Sequence, residues 1–172
     1  LELRDLDADN SVAESWAASD ETAQGGWQNY RYRARSAASR GPDSKWRGFN
    51  FGLLGAGEIL IDDITVVENR SVPKISNTDF SSGATGWRFR GTHRPSTIVE
   101  DPDEPGNNVL RVVATGATGH MHNQIETTLL GRVSNDEVYE ISFRARWVSG
   151  SNQLHSRLYF NRMPQVSFLD RP

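Results

Sequence analysis

The sequence predicts an all-β antiparallel sandwich, and three observations carry the prediction. Apolar residues recur with a period of two, as they do on half-buried strands. The 15 glycines and 7 prolines are scattered along the chain and punctuate it at short intervals. A length of 172 residues suffices for one two-sheet core and is tight for two.

From the start of the chain, residues 1–25 carry acidic and small residues with little pattern, and Val12 to Ser19 fits either a strand or a short helix. Trp27 to Arg35 alternates, Lys45 to Leu53 is an aromatic-rich strand, and Glu58 to Glu68 is an apolar strand interrupted by Asp62 and Asp63. Loops at Ser39 to Ser44 and Leu54 to Gly57 separate them, and Asn69 to Lys74, with Pro73, reads as a linker. Glu100 to Gly106 is an acidic turn that two prolines and a glycine force. Asn108 to Ala114 and His120 to Leu129 are strands. In Tyr139 to Trp147 the residues Tyr139, Ile141, Phe143, Ala145 and Trp147 point one way, while Glu140, Ser142, Arg144 and Arg146 point the other. Leu154, Ser156, Leu158 and Phe160 repeat the pattern against His155, Arg157, Tyr159 and Asn161, so these two strands are expected to form a hairpin about Ser149 to Asn152. The count comes to about eight strands, with little helix.

Composition excludes several functions. The net charge of -3, with both signs mixed, builds no global field of the kind that recruits nucleic acid. With no cysteine there is no disulfide framework, thiol nucleophile or cysteine zinc site. Apolar runs such as Ile59-Leu60-Ile61 fall far short of the ~20 residues of a membrane span, so no membrane insertion is expected. The chain opens on Leu1 without a basic and apolar leader, and reads as a piece of a larger or processed protein whose export signal lies elsewhere.

Two stretches bear a family resemblance. Gly57-Glu58-Ile59-Leu60-Ile61-Asp62-Asp63-Ile64-Thr65-Val66 resembles the closing strand of carbohydrate-binding modules of the family 4, 9 and 22 type, which share a galactose-binding-like jelly roll. Ile75-Ser76-Asn77-Thr78-Asp79-Phe80-Ser81-Ser82-Gly83, followed by Gly86-Trp87, is similar to their opening strand. The stretch from His120 through Ile125 to Leu129, with Leu158 to Arg162, also resembles modules of large bacterial surface proteins that bear lamin-tail or spore-coat-kinase-like domains. The closing strand precedes the opening one, so residues 1–69 resemble the second half of a module and 73–172 the first half. The two halves form one jelly roll with permuted strand order, or two incomplete modules joined at 69–74 and completed by other chains. The resemblance implies a non-catalytic, extracellular or cell-surface module that attaches a larger protein to a polysaccharide. The rival reading is a structural or surface-assembly protein, a homo-oligomer whose sandwich is completed between chains.

Sugar recognition needs planar hydrogen-bonding groups and an aromatic ring for the apolar face of a pyranose. The outward side of the expected hairpin offers Arg144, Arg146, Arg157, Tyr159 and Asn161, with His120, His122, Gln124 and Glu126 of the preceding strand beside it. Tyr159 is the platform, and Trp46 is a second stacking candidate at a loop edge. The arginines suit a carboxylated or sulfated glycan. The bland alternative is a solvated sheet with cross-strand ion pairs. Trp87 and Trp147 are expected in the core, and Trp27 near a loop.

Alternation puts Asp62 and Asp63 on opposite faces, so the inward one needs a partner. The resemblance implies a structural calcium, for which Asp63, Asn77 and Asp79 are the candidate ligands. The acidic residue that the family carries directly after the opening Phe is Ser81 here. His120 and His122 lack a third metal ligand, and no phosphate-cradling loop, nucleophile elbow or zinc-protease helix is present.

Overall fold

A computed structural model describes residues 2–3, 16–17, 25–36, 47–118, 122–159 and 161–171. The segment Val12 to Ser19, apart from the strand at Trp16–Ala17, lies outside them, as do the Ser39 to Ser44 loop, Trp46 and His120. Thirteen strand segments follow one another in these regions: β1 (Glu2–Leu3), β2 (Trp16–Ala17), β3 (Gln28–Arg35), β4 (Gly48–Leu53), β5 (Gly57–Glu68), β6 (Val72–Pro73), β7 (Trp87–Phe89), β8 (Thr97–Glu100), β9 (Asn108–Ala114), β10 (Ile125–Thr128), β11 (Val138–Gly150), β12 (Gln153–Leu158) and β13 (Arg162–Phe168). One 3-10 turn, Gly91–His93, lies between β7 and β8.

The fold is an antiparallel β-sandwich. One sheet runs β13-β12-β4-β10-β7, and the other runs β3-β11-β5-β9-β8, with β6 added to the end of β5. A small ribbon, β1 with β2, stands apart from both. The core between the sheets holds Phe49, Phe51, Leu53, Trp87, Ile125, Leu154 and Leu158 from the first sheet. It holds Ile59, Ile61, Ile64, Val66, Leu110, Val112, Tyr139, Ile141, Phe143 and Trp147 from the second. Phe49 and Phe51 meet the Trp87 ring edge-on at 6.5 and 5.8 Å, and Phe80 closes on the same indole at 5.6 Å. Trp87 and Trp147 are therefore core residues, as their places in the sequence predict.

Strands from both sides of residues 69–74 alternate within each sheet. β4 lies between β12 and β10, and β5 lies between β11 and β9. The segment 69–74 is not a linker but a tight reversal. Asn69 and Arg70 take left-handed φ values of 51° and 73°, which returns the chain so that Val72 and Pro73 pair with Glu68 and Val67. The buried Lys74 then reaches Glu68 at 2.6 Å, and the Tyr139 hydroxyl donates to the same carboxylate.

A second departure concerns β11 and β12, which do not form the expected hairpin. β11 pairs with β3 and β5, whereas β12 pairs with β4 and β13 in the opposite sheet. The chain changes sheets at Gly150, whose φ is 69°. A Cβ there would meet the Ala56 carbonyl oxygen at 2.5 Å and the Gly57 Cα at 2.7 Å, so only glycine allows the two backbones to pass.

The Asp62-Asp63 pair also differs from expectation, since neither residue faces the core. Two residues of β5, Asp63 and Ile64, stand opposite one residue of β11, with a register shift between Ser142 and Arg144. Asp63 occupies this bulge with φ 51°. On a regular strand Ile61 and Ile64 would face opposite ways; the bulge turns both into the core, and Asp62 points outward.

Candidate functional site

The outer face of the first sheet carries an open groove of about 410 Å³, lined by Arg47, Gly48, Asn50, Arg88, Arg90, Glu126, Thr127, Thr128 and Tyr159. Its floor follows from alternation. In Phe49-Asn50-Phe51 the aromatic rings go inward, which sends Asn50 out between them. In Trp87-Arg88-Phe89 the same rule turns Arg88 outward. Strand register then sets four side chains in one row across the sheet: Arg88 of β7 beside Glu126 of β10, Glu126 beside Asn50 of β4, and Asn50 beside Arg157 of β12.

These groups are linked by hydrogen bonds. One oxygen of Glu126 accepts from Arg90 at 2.9 Å and meets Arg88 at 3.0 Å, and the other accepts from the Gln124 amide at 2.9 Å. The Gln124 carbonyl oxygen accepts in turn from Arg157 at 3.1 Å. Asn50 stays outside the network: it is 3 % exposed, and its amide nitrogen has no hydrogen-bond partner among the described residues. A buried donor of this kind costs about 1–3 kcal/mol when it is left unmade.

Tyr159 forms one wall and is 36 % exposed. Its backbone N–H donates to the Gly48 carbonyl, and its Cβ lies 3.1 Å from where a Cβ on Gly48 would stand. The glycine therefore makes room for the tyrosine to lie over the sheet. His155, two residues before Arg157 on the same face, has its pKa pushed down by burial and then by the Arg157 charge, so it adds no positive charge at neutral pH.

At the end of β4 the 3-10 turn brings in His93, which is fully buried. Its Nε2 accepts the Leu53 N–H at 3.0 Å, beyond the point where β10 has stopped pairing with β4. Burial lowers its pKa to about 4, which keeps the ring neutral and able to accept.

The sequence-predicted residues divide between the two outer surfaces. Tyr159 and Glu126 line the groove, and Gln124 and Arg157 lie beside it, joined to Glu126 through hydrogen bonds. Arg144 and Arg146 lie on the outer face of the other sheet, because β11 belongs to that sheet. Arg144 reaches Asp62 at 2.8 Å and Asp101 at 3.1 Å, and stacks over the Trp27 ring at 4.5 Å. Arg146 holds Asp103 at 2.8 Å, so the pair fastens the acidic turn 100–106 to the sheet. Asn161 sits in the turn after β12 with φ 53° and is exposed, and His122 is exposed in the turn ahead of β10; neither lines the groove. Trp46 lies outside the described residues.

The expected calcium ligands are occupied by loop contacts. The Asn77 amide donates to the Gly83 and Thr85 carbonyls, and its oxygen accepts from the Ser82 N–H. Asp79 accepts from the N–H and hydroxyl of Ser81, which hold its pKa below the usual carboxylate range. Asp63 faces Arg144 at 3.4 Å, while burial and the neighbouring Asp62 raise its pKa. Among the described residues no group of three or more His, Asp or Glu side chains forms that could hold a metal ion.

Sequence reasoning missed Arg47, Asn50, Arg88 and Arg90. Two of them had a readable signal, a polar residue set between aromatic ones in Phe49-Asn50-Phe51 and Trp87-Arg88-Phe89, and Arg90 continues the second alternation.

Among curated proteins and solved structures, none matches the chain. A family model described as a carbohydrate binding domain matches residues 72–161, just over half of its length. Arg88, Arg90, Glu126 and Tyr159 lie within the matched stretch, while Arg47, Gly48 and Asn50 reach the groove from outside it. With the match, the sandwich and the groove taken together, the chain belongs to the carbohydrate-binding domain family of the 4 and 9 type.

Proposed function

We propose that the chain is a non-catalytic carbohydrate-binding module that holds a polysaccharide in the groove of the first sheet and attaches a larger extracellular protein to it. The observation that carries this reading is Asn50, a buried donor on the groove floor without a partner among the described residues. A sugar hydroxyl accepts such a hydrogen bond, and the neighbouring Tyr159 ring offers a surface for the apolar face of a pyranose. Gln124 and Arg157 supply further planar groups beside it.

Absence of catalysis is supported by the lining itself. Among the described residues Glu126 is the single carboxylate there, and it is already held by two arginines, whereas glycoside hydrolysis ordinarily uses a pair of acids flanking the bond. The seating of β4 and β5 inside sheets built by their own chain supports completion of the sandwich within one polypeptide rather than between copies.

Retention on insoluble polysaccharides tests the reading. Tyr159→Ala is expected to weaken binding roughly tenfold, the equivalent of about 1.4 kcal/mol of lost ring contact. Equal retention of wild type and variant would rule out the groove.

A further inference from the structure

We infer that the groove selects anionic polysaccharide, with carboxylate or sulfate groups on its sugars, over neutral polysaccharide. The inference rests on the groove being the carbohydrate site and adds the chemical class of its ligand.

The charge balance around the groove is lopsided. Among the described residues Arg47, Arg88 and Arg90 line it and Arg157 lies in the adjoining strand, against the single carboxylate of Glu126. This local excess of positive charge sits in a chain whose net charge is -3, so it is not a by-product of a basic composition. Glu126 is shared three ways, since one of its oxygens serves Arg88 and Arg90 together and the other serves Gln124. Arg47 has no ion pair or side-chain hydrogen bond among the described residues, and Arg157 is held by the neutral Gln124.

The opposite sheet shows what this chain does with arginines that serve the fold. Arg31 meets Glu140, Arg111 meets Glu58, and Arg144 and Arg146 meet the aspartates of the acidic turn. In the groove, Arg88 and Arg90 keep side chains that are 67 % and 44 % exposed and share one acceptor oxygen between them. A guanidinium has five N–H donors in a planar fork that fits a carboxylate or sulfate, and most of the donors here have no acceptor among the described residues. A neutral glycan would leave these like charges uncompensated. An anionic sugar neutralises them, and the Asn50 donor supplies an uncharged contact from the floor.

The test measures affinity for soluble polygalacturonate, its fully methyl-esterified form, dextran sulfate and dextran. Polygalacturonate or dextran sulfate is expected to bind at least about tenfold more tightly than its uncharged counterpart, and whichever does so identifies carboxylate or sulfate as the preferred group. Raising NaCl from about 50 to 500 mM is expected to cost about tenfold or more, because the groove is open to screening ions. The double variant Arg47→Gln with Arg88→Gln is expected to lose roughly tenfold to a hundredfold on the charged probe. Its melting temperature is expected to stay within a few degrees, since both side chains are exposed. Arg33→Gln on the other sheet is the unchanged control.

Equal affinity for charged and uncharged forms, or insensitivity of the charged probe to the double variant, overturns the inference while leaving the groove as a carbohydrate site. Indifference of every retained polysaccharide to Tyr159→Ala removes the reading beneath it. Binding of single-stranded oligothymidylate as tight as that of the charged polysaccharides overturns the assignment to sugar.

Discussion

The two outer faces of the sandwich use the same residue type in opposite ways. On the six-stranded side Arg144 sits 20 % exposed among Asp62, Asp63 and Asp101, with an indole beneath it, and its charge is spent on holding a loop. On the five-stranded side Arg88 and Arg90 lean on one oxygen of Glu126 and remain exposed. An arginine's role is thus set by how many carboxylates the tertiary structure delivers to it. Where the acidic turn folds over the sheet the cation is tied to several carboxylates, and where, among the described residues, no such turn covers the sheet the cations share one acceptor.

The largest effect expected from breaking this contrast is on stability. Arg144→Ala leaves Asp62 and Asp101 as buried charges without their cation and is expected to cost about 3–5 kcal/mol in urea denaturation, with polysaccharide affinity unchanged in the fraction that stays folded. A loss of affinity with little loss of stability would reverse the roles assigned to the two faces.

A smaller effect concerns His93 at the end of β4. Its folded pKa of about 4 lies below the 6.5 of the unfolded chain, so between these values the unfolded state binds more protons. Stability from the neutral ring is therefore fully present above about pH 6.5 and is lost as pH falls towards 4, by about 2–3 kcal/mol. His93→Gln is expected to flatten that part of the denaturation profile. An unaltered slope would show that the ring does not carry the difference.

The smallest stability effect is predicted for the groove itself. Asn50→Ala removes a buried donor that has no protein partner, so stability is expected to change by less than about 1 kcal/mol or to rise. Affinity is expected to fall several-fold, and a stable variant with undiminished affinity would take Asn50 out of the site.

Much of the fold was legible because its signal is local. The alternation from Tyr139 to Trp147 assigns each side chain of β11 to the core or the outside, and the structure keeps every assignment. Asn108 to Ala114 and the apolar run of β5 read equally well, since β-branched residues spaced by two suit a strand wherever it pairs. The Asp63 bulge was not legible, because one inserted residue breaks the period without leaving a period of its own. Of the site, Tyr159, Arg157 and Gln124 were readable as outward groups, while Arg47 and Asn50 depend on β4 lying between β12 and β10.

The all-β class and the inward or outward sense of each strong strand follow from the order of residues alone, because both are properties of neighbours along the chain. Which outward groups share a surface depends instead on how the sheets pack. In a hairpin the outward side chains of successive strands lie together, but the inner faces of two packed sheets satisfy the same alternation while their outer faces point apart. The switch of sheets at Gly150 is what sends Arg144 and Arg146 to one side and Arg157 and Tyr159 to the other.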